Sequence, residues 1–180
     1  GAVGIAIGSG TAAIISENIG KKCSTHNNTV FTTGILSAVT IGAAFFFVLY
    51  PLRGYLLILL GGDQEVLQTG TMYLTIILPA SAVTMVIMVV NSSLRAIGAV
   101  KTAVFLSLLS SFLNILFDPI FIFAFSLGVK GAALATVFAQ LITLTVSILL
   151  LVKHKLLPNC LMLKLSFIAK LLLKGTPFFL

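Results

Sequence analysis

Long apolar runs alternate with short polar breaks along this chain, and their spacing predicts a bundle of membrane-spanning helices. A span needs about 20 apolar residues, because a rise of about 1.5 Å per residue must cross about 30 Å of hydrocarbon. Residues 1–16 (GAVGIAIGSGTAAIIS) read as the second half of such a helix, and 17–28 as a polar loop containing Lys21, Lys22 and His26. The run 29–50 ends in Phe45-Phe46-Phe47 and Tyr50. Pro51, Arg53 and Gly54 are expected to break it, leaving 55–62 as an apolar piece too short to cross and therefore interfacial. Further spans are expected at 72–90, 101–128 and 131–152. Pro79 inside the first of these is tolerable where neighbouring helices re-satisfy the freed backbone.

The residues at the breaks refine this outline. Gly4 and Gly8 form a small-xxx-small pair that lets another helix approach closely. Tyr50 and Tyr55 suit the membrane–water boundary. Asp63, after Gly61-Gly62, reads as an N-cap, with Glu65 as a second acid in the first helical turn. Asn91-Ser92-Ser93, then Arg95 and Gly98, mark the end of the 72–90 span. Asn91 there reads either as a helix cap or as a ligand. Cys23 and Cys160 fall in polar or basic connecting segments at no metal or redox spacing, and are expected to be free thiols.

Composition fixes the class. The 180 residues are 59% hydrophobic and 8% charged, against about 25% charged in water-soluble domains, so the chain reads as an all-α polytopic membrane protein. Eleven bases against four acids do not indicate nucleic acid, because the bases sit between apolar runs instead of gathering on a polar surface. If the loops alternate sides, one side holds Lys21, Lys22, Arg95, Lys101, Lys153, Lys155, Lys164, Lys170 and Lys174. The other holds Arg53 and Lys130. The positive-inside rule then makes 17–28, 91–101 and 153–174 cytoplasmic. The chain begins at Gly1 and stops at Leu180 within apolar runs, as a fragment of a longer protein would. Its start has neither the basic region nor the cleavage site of a signal peptide.

Chemistry concentrates in 101–128. Asp118 lies well inside a membrane-length run, with Pro119 after it and Asn114 one turn before. A carboxyl near the bilayer centre costs roughly 2.5–3.5 kcal/mol, so it is expected to face protein and to mark a function. Pro119 has no N–H and clashes with the carbonyl of Ile115, so a bent or opened helix is expected beside the carboxylate. Asn114 and Asp118 share a face, and Thr136 on the following helix reaches them if the two helices are antiparallel neighbours. Carboxylate, amide and hydroxyl oxygens make a shell of the kind hard cations such as Na+ prefer. The same residues suit a proton carrier, because burial disfavours the charged carboxylate. Two structural roles compete: Asp118 as interhelical glue, and Thr136 bonded back to the carbonyl of Ala132.

The motifs together resemble the multidrug and toxic compound extrusion (MATE) transporters. Arg95 with Gly98 matches the R-x-x-G ending that family's fourth helix, and Asn114, Asp118 and Pro119 its N-x-x-x-D-P in the fifth. Gly128 with Gly131 through Thr136 matches the opening of its sixth, Gly20 the end of its second, and Gly175-Thr176-Pro177 the opening of its second lobe. The resemblance implies a twelve-helix antiporter of two six-helix lobes, of which this chain is the N-lobe bundle: partial helix 2 and helices 3–6 over 1–152. Residues 153–174 would be a basic cytoplasmic connector and 175–180 the truncated start of the second lobe. It further implies export of lipophilic, mostly cationic drugs across the plasma membrane, driven by Na+ or H+. No enzymatic activity, cofactor or nucleic-acid partner is expected. Asp118, Asn114, Thr136 and Asn91 correspond to the family's cation- or proton-binding set, and Pro119 to its helix bend. The first helix, with a further acid, and the second lobe would be missing partners, and Glu17 departs from the basic or amide residue usual after helix two.

Rival readings fit less well. A lipid-linked oligosaccharide flippase of the same superfamily would line its cavity with bases, whereas here every base sits at an edge. An intramembrane aspartyl protease needs two carboxyls sharing a proton, and Asp118 is the lone acid at membrane depth. A purely structural scaffold has no use for it.

Overall fold

The computed structural model describes residues 2–21 and 26–153. Lys22 and Cys23, the connector 154–174 with Cys160, the segment 175–180 and the side chain of Glu65 lie outside the described residues. Among the described residues, five helices are long and apolar enough to cross a membrane. They are α1 (Ala2–Gly20), α2 (Asn27–Leu59), α3 (Gln64–Ala96), α4 (Val100–Pro119), which runs on into a π-helical segment (Ile120–Ala124), and α5 (Gly128–Lys153).

α3 is the central helix. It packs against all four others, with α1 and α2 paired on one side and α4 and α5 on the other. Lipid offers no hydrophobic drive for helices to associate, so close approach through small residues and dispersion must hold them. A Cβ added at Gly42 of α2 would lie 2.5 Å from the Cα of Ala82 in α3. One added at Gly8 of α1 would lie 3.0 Å from the carbonyl oxygen of Met88. Gly4 and Gly8 thus do seat α1 on α3. Ile7, Ile15, Phe31, Val89, Val90, Leu94 and Leu106 fill the space between. The buried hydroxyls of Thr11, Ser37, Thr143 and Ser147 each donate to the carbonyl four residues back at 2.7 Å, so none is left unpaired in an apolar interior.

Asp63 is the N-cap of α3: its Oδ1 accepts from the Val66 N–H at 2.9 Å. Other boundaries move outward from those expected. α1 continues to Gly20, through the Glu17–Lys21 ion pair. α2 does not break at Pro51 but runs on to Leu59, so 55–62 is the end of a long helix and not a separate interfacial piece. Pro51 lacks only the N–H that would bond to the Phe47 carbonyl, and the helix carries that one missing bond. Beside it the Arg53 guanidinium donates to the Tyr50 carbonyl and stacks over the Tyr50 ring at 4.1 Å. α2 and α3 have 33 residues each, about 50 Å of helix, more than a hydrocarbon core spans. Asn91-Ser92-Ser93 lie within α3, which ends at Ala96 before Gly98 turns the chain with φ +83°. Asn91 is therefore not a cap.

The contact at Gly42 yields a direct test. Gly42→Ala must push α2 from the backbone of α3, and we expect it to destabilise the purified full-length protein by about 1–3 kcal/mol. A lowered thermal midpoint in detergent checks this; Gly54→Ala, where an added Cβ meets nothing within 4 Å, is the control.

Candidate functional site

α4 carries its polar residues in one stripe. Ser107, Ser111, Asn114 and Asp118 recur at four-, three- and four-residue intervals, the spacing of a single helix face. This stripe borders the face packed on α5. Most of the remaining surface of α4 is open, with only 6% of its span buried. Polar groups at this depth are not expected to face acyl chains.

α5 supplies the opposing residues. The Asn114 Nδ2 donates to Thr136 Oγ1 at 3.2 Å, while the Thr136 hydroxyl donates to the carbonyl of Ala132 at 3.0 Å. Thr136 thus plays both expected parts, back-bonded and in contact with α4, although its partner there is Asn114 and not Asp118. One Thr136 lone pair, the Asn114 Oδ1 and the carboxylate oxygens of Asp118 remain as acceptors, since no hydrogen bond joins Asp118 to another described residue. Asp118 is half-buried, about 9 Å from the midpoint of the span Val100–Ala124 toward the α5-proximal turn.

Pro119 ends α4, and the five residues after it wind as a π-helix, with Phe125 N–H bonded to the Ile120 carbonyl at 3.0 Å. Ile115 and Pro119 are both on the exposed side of α4. Pro119 cannot donate to the Ile115 carbonyl four residues back. Gly131 admits the irregular segment: a Cβ there would sit 2.5 Å from the Phe121 carbonyl oxygen. The Phe121 ring stacks on Phe138 at 5.3 Å between centroids.

Asn91 is placed elsewhere. Thr84 of α3 is level with Gln140 of α5, bonded to it at 3.1 Å, and the two helices run the same way. Asn91, two turns past Thr84, is then level with Ser147, about three turns from Thr136. Its Oδ1 is buried and has no hydrogen-bond partner among the described residues. The structure so brings together Asn114 and Thr136, holds Asp118 on the same stripe one turn away, and leaves Asn91 apart. Among the described residues no three His, Cys, Asp or Glu side chains cluster. Ser107 and Ser111 were legible from their spacing to Asn114, but the bond from Gln140 to Thr84 had no local sequence signal.

The Asn114–Thr136 bond has a measurable strength. A double-mutant cycle on stability with Asn114→Ala and Thr136→Ala should give a coupling of about 0.6 kcal/mol, the mean for membrane interhelical hydrogen bonds. A coupling indistinguishable from zero would mean the two helices are not joined there.

Comparison with known proteins places this arrangement. The MatE family model matches residues 1–120. The multidrug export protein MepA of Staphylococcus aureus (strain NCTC 8325 / PS 47) is 30% identical over 138 residues, covering 77% of this chain and 31% of that protein. An FAD transporter of Shewanella oneidensis is 26% identical over 167 residues, covering 86% and 35%. Among solved structures, the inward-facing conformation of a multidrug resistance MATE family transporter superposes with a TM-score of 0.90 at 25% identity, covering 98% of this chain and 41% of that one. A MOP superfamily transporter from Pyrococcus furiosus gives 0.89 at 25% identity, covering 98% and 40%. The chain spans about a third of the length of the curated relatives it matches. It belongs to the MATE family, whose members are membrane transporters and not enzymes.

Proposed function

We propose that the full-length protein is a cation-coupled exporter of lipophilic, mostly cationic compounds, and that this chain forms most of its N-terminal lobe. The observation that carries the reading is the polar stripe of α4, with Asp118 one turn from the Asn114–Thr136 bond. A half-buried carboxyl with no described hydrogen-bond partner, beside free amide and hydroxyl lone pairs, is chemically suited to take up Na+ or a proton. Neutralising Asp118 removes the charge that opposes burial, and the segment best able to answer is the one beginning at Pro119, where the α-helical ladder is already interrupted. In this mechanism the uptake of the ion changes the bend of α4, narrows the cavity beside the stripe and expels the compound to the outside.

The charge distribution supports the orientation. Lys21, Arg95, Lys101 and Lys153 lie at one end of the described bundle and Arg53 and Lys130 at the other, and we assign the first end to the cytoplasm, with the plasma membrane as the site of action. Every described base is within about two turns of a helix end, which favours cationic compounds over the pyrophosphate-linked cargo of a flippase. The second lobe and the first helix complete the cavity on the open side of α4.

Asp118→Asn in the full-length protein tests the proposal. Energised efflux of ethidium should fall to the level of cells lacking the transporter, with the variant present in the membrane at wild-type amount. Undiminished efflux would refute the role of Asp118. Varying Na+ and pH separately in the wild type identifies the coupling ion.

A further inference from the structure

Gln140 stands apart from the residues assigned so far. It lies near the middle of α5 and so, with Thr84 near the middle of α3, near the bilayer midplane. The Thr84 hydroxyl is 3.1 Å from the Gln140 amide and 3.2 Å from the Ala80 carbonyl, at the α3–α5 seam. Gln140 is half-buried, and its amide nitrogen is not one of the sealed, unpaired atoms. If the amide oxygen faces Thr84, both N–H groups are left over; if the nitrogen does, one is used on the hydroxyl, as Asn114 does on Thr136, and one is left over. In either orientation at least one N–H donor is presented where an unmet donor is expensive.

The surroundings limit what meets that donor. On α5, Gln140 is one turn from Thr136 on the same face, and Thr136 is held by Asn114. Acceptors on the protein nearby are already engaged or a turn away: the Ala80 carbonyl by Thr84, the Ala132 carbonyl by Thr136. The other close neighbours, Pro79, Val83, Val137 and Leu141, line a cavity of about 210 Å³ with Gln140 and contribute apolar side chains only. An amide N–H anchored on one side, in an otherwise apolar wall, is matched by a carbonyl or carboxylate oxygen on a bound compound.

We propose that Gln140 is a specificity-determining residue, whose amide, held by Thr84, donates to an acceptor oxygen of the transported compound and selects compounds that carry one. The inference rests on the export reading above and adds a substrate class to it. Such a group acts by differential binding: a site built to donate loses affinity for a matching compound when the donor is removed, and is indifferent to a compound with no acceptor.

The experiment uses the full-length protein in cells and two cationic dyes, rhodamine 123, which has an ester carbonyl, and ethidium, which has no oxygen acceptor. Gln140→Leu keeps the size and removes the donors. It should lower rhodamine 123 efflux about fivefold to tenfold, the equivalent of one hydrogen bond, while ethidium efflux stays within about twofold of wild type. Thr84→Val, which frees the amide without removing it, should lower rhodamine 123 efflux in the same direction by a smaller factor. Equal losses for both dyes, or no loss for either, would overturn the proposal and leave Gln140 as a helix-packing residue. A wild type that exports neither dye would overturn the export reading itself, and this proposal with it.

Discussion

Hydrocarbon cannot hydrogen-bond, and this single constraint orders most of the structure. Each polar group at membrane depth must find a partner in the protein or face a cavity. Thr11, Ser37, Thr143 and Ser147 comply by bonding back to their own helices, which contributes little to the specificity of the bundle. What remains cannot comply in that way. Asparagine, glutamine and aspartate side chains are too long or too charged to be silenced by one carbonyl. Asn114 and Asp118 of α4 and Gln140 of α5 are three of these, near the helices' contacts with one another, while Asn91 stands apart.

Close packing does for the helices what water does for soluble domains. With no net gain from moving apolar side chains out of lipid, contact depends on how near two backbones can come. Gly42 against Ala82 and Gly8 against Met88 hold α1 and α2 to α3. Gly131 works differently, because its neighbour is the carbonyl of Phe121 in the π-helical turn. An ordinary side chain at 131 would force α5 off that turn and with it Thr136, five residues on. The glycine-rich start of α5 is thereby tied to the irregular end of α4.

The sequence made much of this legible, and the exceptions have physical causes. The spans were readable because length and apolarity act locally, and the Asp63 cap and the Gly4–Gly8 seat because each is a short-range pattern. Pro51 misled because a proline removes a single backbone bond, and a helix held by its neighbours along its length can carry that loss in a manner no propensity encodes. Asn91 misled because a polar cluster near a basic residue looks like a helix end, whereas α3 carries the cluster inside its last two turns. The partner of Thr136 proved to be Asn114, since antiparallel register decides which residues are level, and the sequence alone does not give that register. Gln140 and Thr84 are separated by 56 residues, and only the parallel run of α3 and α5 brings them level.

Why the acid should sit immediately before a proline follows from the same constraint. In a regular helix, Asp118 would ride on a ladder of bonds that resists bending, and a change in its charge would be absorbed by side-chain motion alone. Pro119 removes one rung, and the π-helical turn that follows widens the next, so the backbone beyond residue 118 is held by fewer and longer-range bonds. Pro119 is exposed whereas Asn114 and Asp118 are half-buried, so the weak point and the oxygens proposed to bind the ion lie about 100° apart around one helix. In the proposed mechanism a charge change on Asp118 is answered by bending at the proline beside it. The Asn114–Thr136 bond, one turn earlier, anchors the part of α4 that must stay still for such bending to be useful.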